Sequence, residues 1–517
     1  MMNREPASVM SQTGAGVTEA LAHIGRGAGF LFGGLVVARG AGYLFHVMVA
    51  RLGTEDYGLF ALGITVLSIA STFAVMGLGS GMKRYVPFYR GQQNDAAVQG
   101  VLKAGISISL GGSLAVGALC FYLAPFLGKE LFRSPDLVPV LRFVAALLPF
   151  FVLHSIFNKS LISLKAVRER VLASIIAPNV GKLVLTALFL LLGFRLWGAL
   201  LGYGLAIVLS AGIAFYLLER RVYPFFWGES PTRENVAELF AFSFPLLLSG
   251  ITAMAMTWVD SIMLGAMLTV SAVGVYAAAV IAASLIFLGS EILMPIFLPT
   301  MTEYFARSDH SAVAEVYESV SRWLLGITIP CCFGLALLAR PLLVLIFGQP
   351  YAEAAAALVI LALAKGVYVV SFPSSTVLRM VKKTGTVFFI TLTASVANIV
   401  LNALFIPRYG LMGAATATGI SLVLYAGLTM FSASRAYSLT LLSPGAAKLL
   451  VAGAASLSGT LAAKWLGANP VVLAFIMLGI YLAFIGLLNP FDGQDRELGS
   501  RAFRKLGVLL AFRSSSQ

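Results

Sequence analysis

Long apolar runs separated by short polar connections dominate this chain. Each run approaches the ~20 residues that a helix needs to cross the hydrocarbon core of a bilayer. Turn residues in GFRLWG and PRYGLMG divide two of the longest runs, so each of these is predicted to hold two helices. The pattern predicts fourteen membrane spans, named span 1 to span 14, at 28–50, 58–81, 103–127, 137–158, 171–193, 196–218, 239–263, 272–298, 321–345, 353–377, 384–406, 411–434, 446–466 and 470–489.

The composition supports a membrane protein. Hydrophobic residues make up 59% of the chain and charged residues 11%, and the mean hydropathy is +0.92. Soluble domains carry about a quarter charged residues. A soluble fold would also expose apolar patches far larger than soluble monomers tolerate. The net charge of +14 does not indicate nucleic-acid binding, because the basic residues form no single patch and fall between the apolar runs.

The distribution of Lys and Arg predicts the orientation in the membrane. Connections such as KRYVPFYRG, KAVRER and RMVKK are basic, and they alternate with connections that carry few basic residues. Basic connections remain cytoplasmic, so we expect a multi-pass protein of the cell membrane with both termini in the cytoplasm. The N-terminal segment 1–27 has no cleavable signal pattern. The basic tail at 490–517 includes an amphipathic stretch at 496–512 that is expected to lie on the inner membrane surface or to be loosely ordered.

An internal repeat organises the spans. KLVLTALF at 182–189 returns as NIVLNALF at 398–405, an offset of 398 − 182 = 216. LWGALLGYGLAIVL at 196–209 matches LMGAATATGISLVL at 411–424, and LGTEDYGLFAL at 52–62 faces LTVSAVGVYAA at 268–278. Collinear matches at nearly one spacing indicate an internal duplication.

The repeat predicts an all-α architecture with two parallel lobes. Six spans fit in one repeat length, and an even number preserves orientation, so the lobes should be related by an axis along the membrane normal. We predict a first lobe at 28–218, a cytoplasmic linker at 219–238, a second lobe at 239–434 and an added helix pair at 446–489. Lobes of this kind enclose a site at their interface and rock to give alternating access.

Ionisable residues inside spans are costly, by at least ~2.5 kcal/mol on insertion scales, so they mark candidate sites. Arg39 is central in span 1, with Tyr43 one turn away, and Lys182 is central in span 5, with Asn179 on its face. Lys365 is central in span 10. Three cations around a wet cavity would suit an anion, above all a phosphate. The alternative is that each cation pairs with a carboxylate or a helix C-terminus and only fixes packing.

Four further polar residues complete the predicted site. Asn398 and Asn402 repeat the positions of Lys182 and its neighbour one turn later, so we expect them to face the same cavity as substrate-binding residues. Asp260 in span 7 and Glu291 in span 8 are candidates for binding a coupling proton or sodium ion, and a structural ion pair is the alternative for each. The chain has no nucleotide-binding glycine loop, no HExxH and no CxxC. We therefore expect no catalytic residues, no metal site and no cofactor.

Three stretches carry a family resemblance. VARLGTEDYGLFALGITVLSIASTFAVMGLGSGMKRYVPFYRG at 49–91 resembles the start of Wzx-type polysaccharide biosynthesis flippases, which belong to the multidrug/oligosaccharidyl-lipid/polysaccharide exporter superfamily. FPLLLSG, WVDSIMLG and VGVYAAA within 244–279 resemble the start of the family's second half. NALFIPRYGLMGAATAT at 402–418 resembles its turn between spans 11 and 12.

The resemblance implies a transporter rather than an enzyme. It implies that an isoprenoid-pyrophosphate-linked oligosaccharide moves from the cytoplasmic to the outer leaflet by alternating access, with membrane lipids and polysaccharide polymerases or other biosynthesis proteins as candidate partners. Cavity cations are a tendency of such proteins. Two related functions stay open: a lipid II flippase, and a cation-coupled multidrug exporter, for which an acidic cavity would be expected instead. A membrane glycosyltransferase is disfavoured because every outer connection is short.

Overall fold

The computed structural model describes residues 33–225, 233–437, 439–440, 443–465, 469–491, 493 and 495, and within them it contains helices and no strands. The predicted N-terminal segment 1–27, the start of span 1 and the amphipathic stretch 496–512 lie outside these residues. The helices run from Gly33–Ala50, Thr54–Val75, Leu78–Gly91, Asp95–Phe126, Leu137–Ser163, Val167–Leu191, Arg195–Val222, Arg233–Met267, Val270–Ala283, Leu288–Ala306, His310–Leu337, Ala339–Ile346, Ala355–Val370, Phe372–Met380, Thr384–Tyr437, Pro444–Trp465 and Pro470–Leu488.

Thirteen of the described helical segments are long and apolar enough to cross a membrane. One of them, Thr384–Tyr437, has 54 residues, and its backbone leaves the helical conformation at Gly410 (φ 56°, ψ −130°). Asn398 and Thr418 are hydrogen-bonded at 3.2 Å although they are 20 residues apart. A straight helix would separate them by ~30 Å. The chain therefore reverses direction here, and this segment contains both predicted spans 11 and 12.

Helix occupies both described ends of the predicted linker between the lobes. Span 6 continues as a helix to Val222, and the helix of span 7 begins at Arg233, so both ends extend into the predicted linker 219–238. Residues 226–232 of that linker lie outside the described part of the chain. Helices extend here because their ends leave the hydrocarbon core, where polar residues no longer limit their length.

The turns of the two lobes are built in the same way. Gln93 and Ser308 both adopt the left-handed conformation, with φ of 57° and 58°, and their spacing is close to the repeat offset, since 308 − 93 = 215. Lys165 and Lys382 do the same, with φ of 60° and 59°, and here 382 − 165 = 217. Non-glycine residues seldom adopt this conformation. Its recurrence near the repeat spacing shows that the duplicated sequences form duplicated structures.

The lobes meet at a reciprocal glycine contact. A Cβ atom on Gly58 would collide with the carbonyl oxygen of Val270, and a Cβ atom on Gly274 would collide with that of Thr54. Both pairs of partners are separated by the repeat offset, since 274 − 58 = 216 and 270 − 54 = 216. The contact of Gly58 with Val270 is thus repeated with the lobes exchanged, as the contact of Gly274 with Thr54. A two-fold axis between the lobes requires such paired contacts.

We expect Gly58→Ala to destabilise the protein, with a lower melting temperature in detergent. Alanine favours a helix over glycine by about 1 kcal/mol, whereas forcing a methyl group into a closed contact costs about 1–3 kcal/mol. Gly212→Ala is the matched control, because Gly212 also lies in a helix and nothing lies within 4 Å of its Cβ position. An equal or higher melting temperature for Gly58→Ala would contradict the close packing of the lobes.

Hydrogen bonds also join the lobes at the predicted outer end. The guanidinium of Arg51 donates to the carbonyl oxygens of Ile346 at 2.9 Å and Leu345 at 2.5 Å, which close the C-terminal turn of a short helix. A cation at this position is favourable because a helix C-terminus carries partial negative charge. In return, the hydroxyl group of Tyr351 donates to the carbonyl oxygen of Ala50 at 2.7 Å.

The C-terminal helix pair packs against span 9. Arg322 of span 9 forms an ion pair with Asp495 at 3.0 Å, and the Tyr481 hydroxyl group donates to the carbonyl oxygen of Gly326 at 3.3 Å. Spans 13 and 14 are joined to each other by the Ser456 hydroxyl group, which donates to the Met477 carbonyl oxygen at 2.7 Å. The pair therefore extends the second lobe.

Candidate functional site

Span 8 is interrupted where it faces the first lobe. A 3₁₀ turn at Ser284–Phe287 separates helix Val270–Ala283 from helix Leu288–Ala306. The Ser284 hydroxyl group is hydrogen-bonded at 2.9 Å to the hydroxyl group of Tyr43 in span 1. Breaks of this kind in spanning helices are tolerated where side chains re-satisfy the freed backbone groups.

Lys365 stabilises this interruption. Its ammonium group donates to the carbonyl oxygen of Val280 at 3.0 Å and lies 5.7 Å from the centroid of the Phe287 ring. Only 8% of Lys365 is exposed. The sequence prediction placed Lys365 among the substrate-binding cations. The structure buries it between spans 8 and 10, where it binds the backbone at a helix end, a contact of the kind that the alternative interpretation describes. A role for Lys365 in substrate binding stays a prediction.

Arg39 and Glu291 form an ion pair between the lobes. Arg39 Nε donates to Glu291 Oε2 at 2.9 Å, and Arg39 Nη2 donates to Glu291 Oε1. This two-pronged arrangement is the strong form of the arginine–carboxylate contact. The two side chains remain 45% and 27% exposed. Since Tyr43 is one turn from Arg39, spans 1 and 8 are joined by two polar contacts on one face.

Lys182 lies beside span 1 without a carboxylate. Its ammonium group is 5.1 Å from the centroid of the Phe45 ring, a cation–π contact, and 4.0 Å from the Cβ position of Gly42. The side-chain oxygen of Asn179 is 3.4 Å from that same Cβ position. Among the described residues, no ion pair is found for Lys182. The structure thus brings together Lys182, Asn179 and the face of span 1 that also carries Arg39.

Asp260 is the centre of a second polar cluster, inside the second lobe. It is 7% exposed. Its carboxylate accepts hydrogen bonds from the Tyr276 hydroxyl group at 2.9 Å, the Asn402 amide at 3.0 Å and the Thr418 hydroxyl group at 2.5 Å. The Asn398 amide donates to the Thr418 hydroxyl oxygen at 3.2 Å. A buried carboxylate needs such donors, because burying it unpaired would cost several kcal/mol.

Asn398 and Asn402 belong to this cluster and not to a space open to substrate. They are 1% and 0% exposed. The Asn402 amide reaches Asp260 directly, and the Asn398 amide reaches it through Thr418. A role for either side chain in substrate binding stays a prediction. In the part of the chain that the structure describes, no donor reaches the Oδ1 atom of either side chain. Two unsatisfied amide oxygens and a carboxylate thus lie in one buried region.

Corresponding positions of the repeat differ in charge between the two lobes. At the repeat offset, Lys182 corresponds to Asn398, and Leu44 corresponds to Asp260. The first lobe therefore carries a cation where the second carries an amide, and a leucine where the second carries a buried acid. The same helix framework supports a cationic surface in one lobe and an oxygen-rich cluster in the other.

Sequence reasoning did not single out Ser284, Tyr276 or Thr418. Two of the three lie within stretches that were aligned in the repeat, since Tyr276 falls in 268–278 and Thr418 in 411–424. A polar residue at a repeat position inside an apolar span was an available signal. Ser284 had no such signal, because a serine in a spanning helix is common and only the 3₁₀ turn makes it prominent.

Two curated relatives match parts of the chain. A protein of Haloferax volcanii, named as a probable low-salt glycan biosynthesis flippase, is 25% identical over 220 residues, which are 41% of this chain and 47% of the relative. The succinoglycan biosynthesis transport protein ExoT of Rhizobium meliloti is 26% identical over 344 residues, 66% of this chain and 65% of the relative. The chain thus spans about half the length of the first relative and just under two thirds of the second.

Solved transporters share the fold. The lipid II flippase MurJ, in an inward closed conformation, aligns with a TM-score of 0.70 at 16% identity, over 88% of this chain and 98% of that structure. A multidrug resistance MATE transporter of the MOP superfamily, in an inward-facing conformation, aligns with a TM-score of 0.64 at 17% identity, over 77% and 94%. At these identities, the alignments establish the architecture.

The family model for polysaccharide biosynthesis proteins matches residues 24–305. This match covers more than half of the chain, and it includes the first lobe together with spans 7 and 8, which carry Arg39, Lys182, Asp260 and Glu291. The chain belongs to the polysaccharide biosynthesis protein family.

Proposed function

We propose that this protein is a flippase that carries a lipid-linked oligosaccharide from the cytoplasmic to the outer leaflet of the cell membrane. The diphosphate that joins the sugar to the lipid binds between the lobes, at Arg39 and Lys182. The observation that carries the proposal is the pair of neighbouring cations on spans 1 and 5, one of which has no carboxylate partner in the described part of the chain.

Arg39 has a role that Lys182 does not share. Its partner Glu291 lies on the other lobe, and both side chains keep part of their surface exposed. An exposed ion pair facing hydrocarbon would be costly, so it opens on water. A diphosphate is a bidentate acceptor that competes with a carboxylate for a guanidinium group. Its binding would release Glu291 and weaken the contact between spans 1 and 8, so that occupancy favours separation of the lobes.

The Asp260 cluster supplies the coupling. Carboxylate, amide and hydroxyl oxygens are ligands for hard cations, and unsatisfied buried acceptors are stabilised by a bound cation. We propose that Asp260, Asn398, Asn402 and Thr418 bind a monovalent cation, sodium or a proton, that drives transport. Spans 11 and 12 would then respond to the ion, while spans 1, 5 and 8 respond to the substrate.

The protein can be tested in proteoliposomes with a fluorescent isoprenoid-diphosphate oligosaccharide. A membrane-impermeant reductant bleaches only the outer leaflet, so flipping appears as loss of the protected fraction. We expect the protected fraction to be lost in vesicles that contain the protein and to stay constant in empty vesicles. Lipid II and an organic cation are then tested in the same way, as the second and third candidate substrates.

The substrates separate the candidate functions. Faster movement of lipid II than of other lipid-linked sugars would replace the proposed substrate by lipid II. Transport of the organic cation, with no movement of either lipid, would make the protein a multidrug exporter and overturn the proposal. The protein can insert into the vesicles in both orientations. The assay is therefore repeated after proteolysis of the loops that are exposed on the outside of the vesicles, which separates the two orientations.

A further inference from the structure

Three cations from three helices converge at the predicted cytoplasmic end of the first lobe. Lys83 lies in the helix Leu78–Gly91, Lys159 near the end of Leu137–Ser163, and Arg170 at the start of Val167–Leu191. Lys83 is exposed, and Lys159 and Arg170 are half-buried. They are separate from the Arg39–Glu291 pair and from the Asp260 cluster.

Packing contacts bring these three side chains together. The Cγ atom of Lys159 is 2.8 Å from the Cβ position of Gly79, and Lys83 lies one helical turn after Gly79 on the same face. Arg170 Nε donates at 3.2 Å to the side-chain oxygen of Asn158, the residue before Lys159. The Lys159 stem is therefore packed against the helix that carries Lys83, and the residue before it binds Arg170, so the three cations lie on adjoining helix ends.

The three cations have no carboxylate within ion-pair distance in the described part of the chain. No ion pair is found there for Lys83, Lys159 or Arg170. Like charges on adjoining helix ends repel each other, and the repulsion is stronger where the side chains are partly buried, as Lys159 and Arg170 are. The windows that correspond to these positions in the second lobe contain no lysine or arginine, at 298–300, 374–376 and 385–387. The repeated helix framework therefore forms in the second lobe without charges at these positions.

We propose that Lys83, Lys159 and Arg170 form an anion-binding site for a phosphate-bearing lipid headgroup in the cytoplasmic leaflet, and that this headgroup is the diphosphate of the substrate before it enters the space between the lobes. The second part rests on the proposed flippase function. Basic residues at this depth attract anionic headgroups, and arginine and lysine are the residues that bind phosphate. Arg170 and Lys182 lie on one helix twelve residues apart, ~18 Å along its axis, so the entry site precedes the central cations on the same element.

The test uses farnesyl diphosphate as a soluble probe and the full chain in detergent. The central cations would also bind this probe, so the measurement is made in a background in which both are neutral, Arg39→Gln with Lys182→Gln, as well as in the unaltered chain. In that background, Lys159→Gln and Arg170→Gln are each expected to weaken binding about tenfold, since each removes one charged hydrogen bond. Arg168→Gln is the control, because Arg168 is exposed and neighbours Arg170 in sequence.

A second arm separates the two sources of phosphate. The same variants are placed in nanodiscs of phosphatidylcholine with or without phosphatidylglycerol, and in the proteoliposome flipping assay. Slower flipping by Lys159→Gln at low substrate concentration, restored at high concentration, would support the entry role. Binding of phosphatidylglycerol that depends on Lys159, with flipping unchanged at every substrate concentration, would overturn it and leave a phospholipid site.

Unchanged probe binding in Lys159→Gln and Arg170→Gln, or an equal loss in Arg168→Gln, would overturn the site itself. These failures are distinct from a failure of the flippase function, which would appear as an absence of flipping by the unaltered protein.

Discussion

Arg39→Ala is expected to abolish flipping of the lipid-linked oligosaccharide in proteoliposomes. The substitution removes the guanidinium group that would hold the diphosphate, and with it the contact to Glu291 on the other lobe. A charged hydrogen bond contributes about 1.5–3 kcal/mol, and Arg39 would make two, so we expect substrate affinity to fall by about two orders of magnitude or more. The measurement is the flipping rate as a function of substrate concentration.

Two companion variants separate charge from geometry. Arg39→Lys keeps the positive charge but not the two-pronged contact, so it should retain part of the activity. Glu291→Gln keeps the shape of the partner but removes its charge. If Glu291 competes with the diphosphate, this variant should bind substrate more tightly than the unaltered protein. Full activity in Arg39→Ala would remove Arg39 from the mechanism.

The membrane spans could be predicted because one physical requirement decides them. A helix must be apolar over ~20 residues to cross the hydrocarbon core, and the described helices follow the predicted runs. The sharp turn at Gly410 was predictable too, because PRYGLMG supplies turn residues inside an apolar run. Helix ends were less accurate, as in spans 6 and 7, because a helix that leaves the core is no longer limited by apolarity.

The interruption of span 8 could not be predicted from sequence. The stretch Ser284–Phe287 is apolar apart from its serine, and nothing in it opposes an α-helix. The 3₁₀ turn is stabilised by contacts from other helices, through Tyr43 and Lys365. Tyr43 is 241 residues from Ser284 along the chain, and Lys365 is 85 residues from Val280. Only the folded chain therefore reveals the interruption.

The candidate site was partly predictable for a related reason. Charged residues are rare in spans because placing a charge in the membrane costs free energy. Arg39, Lys182 and Asp260 could therefore be singled out from the sequence. Their partners could not be assigned, because Arg39 and Glu291 are 252 residues apart in sequence. The prediction grouped Asn398 with the cations by its repeat position. The structure groups it with Asp260, because a buried carboxylate attracts every donor within reach.

Duplication followed by divergence gives the two lobes different tasks in this proposal. The backbone framework is shared, as the recurring left-handed turns show. The charges are not shared, since Lys182 of the first lobe corresponds to Asn398 of the second, and the buried Asp260 of the second lobe corresponds to Leu44 of the first. A transporter that an ion gradient drives needs both a site for the substrate and a site for the driving ion. The repeat supplies equivalent positions for these two sites without altering the helix packing between them.

Asp260→Asn is expected to abolish the acceleration of flipping by an ion gradient. The substitution preserves the volume and one acceptor oxygen, so the hydrogen bonds from Tyr276 and Thr418 can persist, while the negative charge that attracts a cation is lost. We expect the gradient-driven rate to fall by about tenfold or more, because a charged contact is worth about 1.5–3 kcal/mol. The flipping rate is measured under a sodium gradient and separately under a pH gradient, which identifies the ion.

Thr418 provides the matched control for this prediction. Thr418→Val removes the hydroxyl group that contacts both Asp260 and Asn398, whereas Thr418→Ser retains it. We expect the valine variant to lose ion dependence and the serine variant to keep it. The valine variant should also melt at a lower temperature, because it leaves Asp260 and Asn398 each one hydrogen bond short in a buried position. If Asp260→Asn still responds to both gradients as the unaltered protein does, the cluster is a structural network and the driving ion binds elsewhere. If the valine and serine variants lose ion dependence equally, packing around Thr418, and not its oxygen, is what matters.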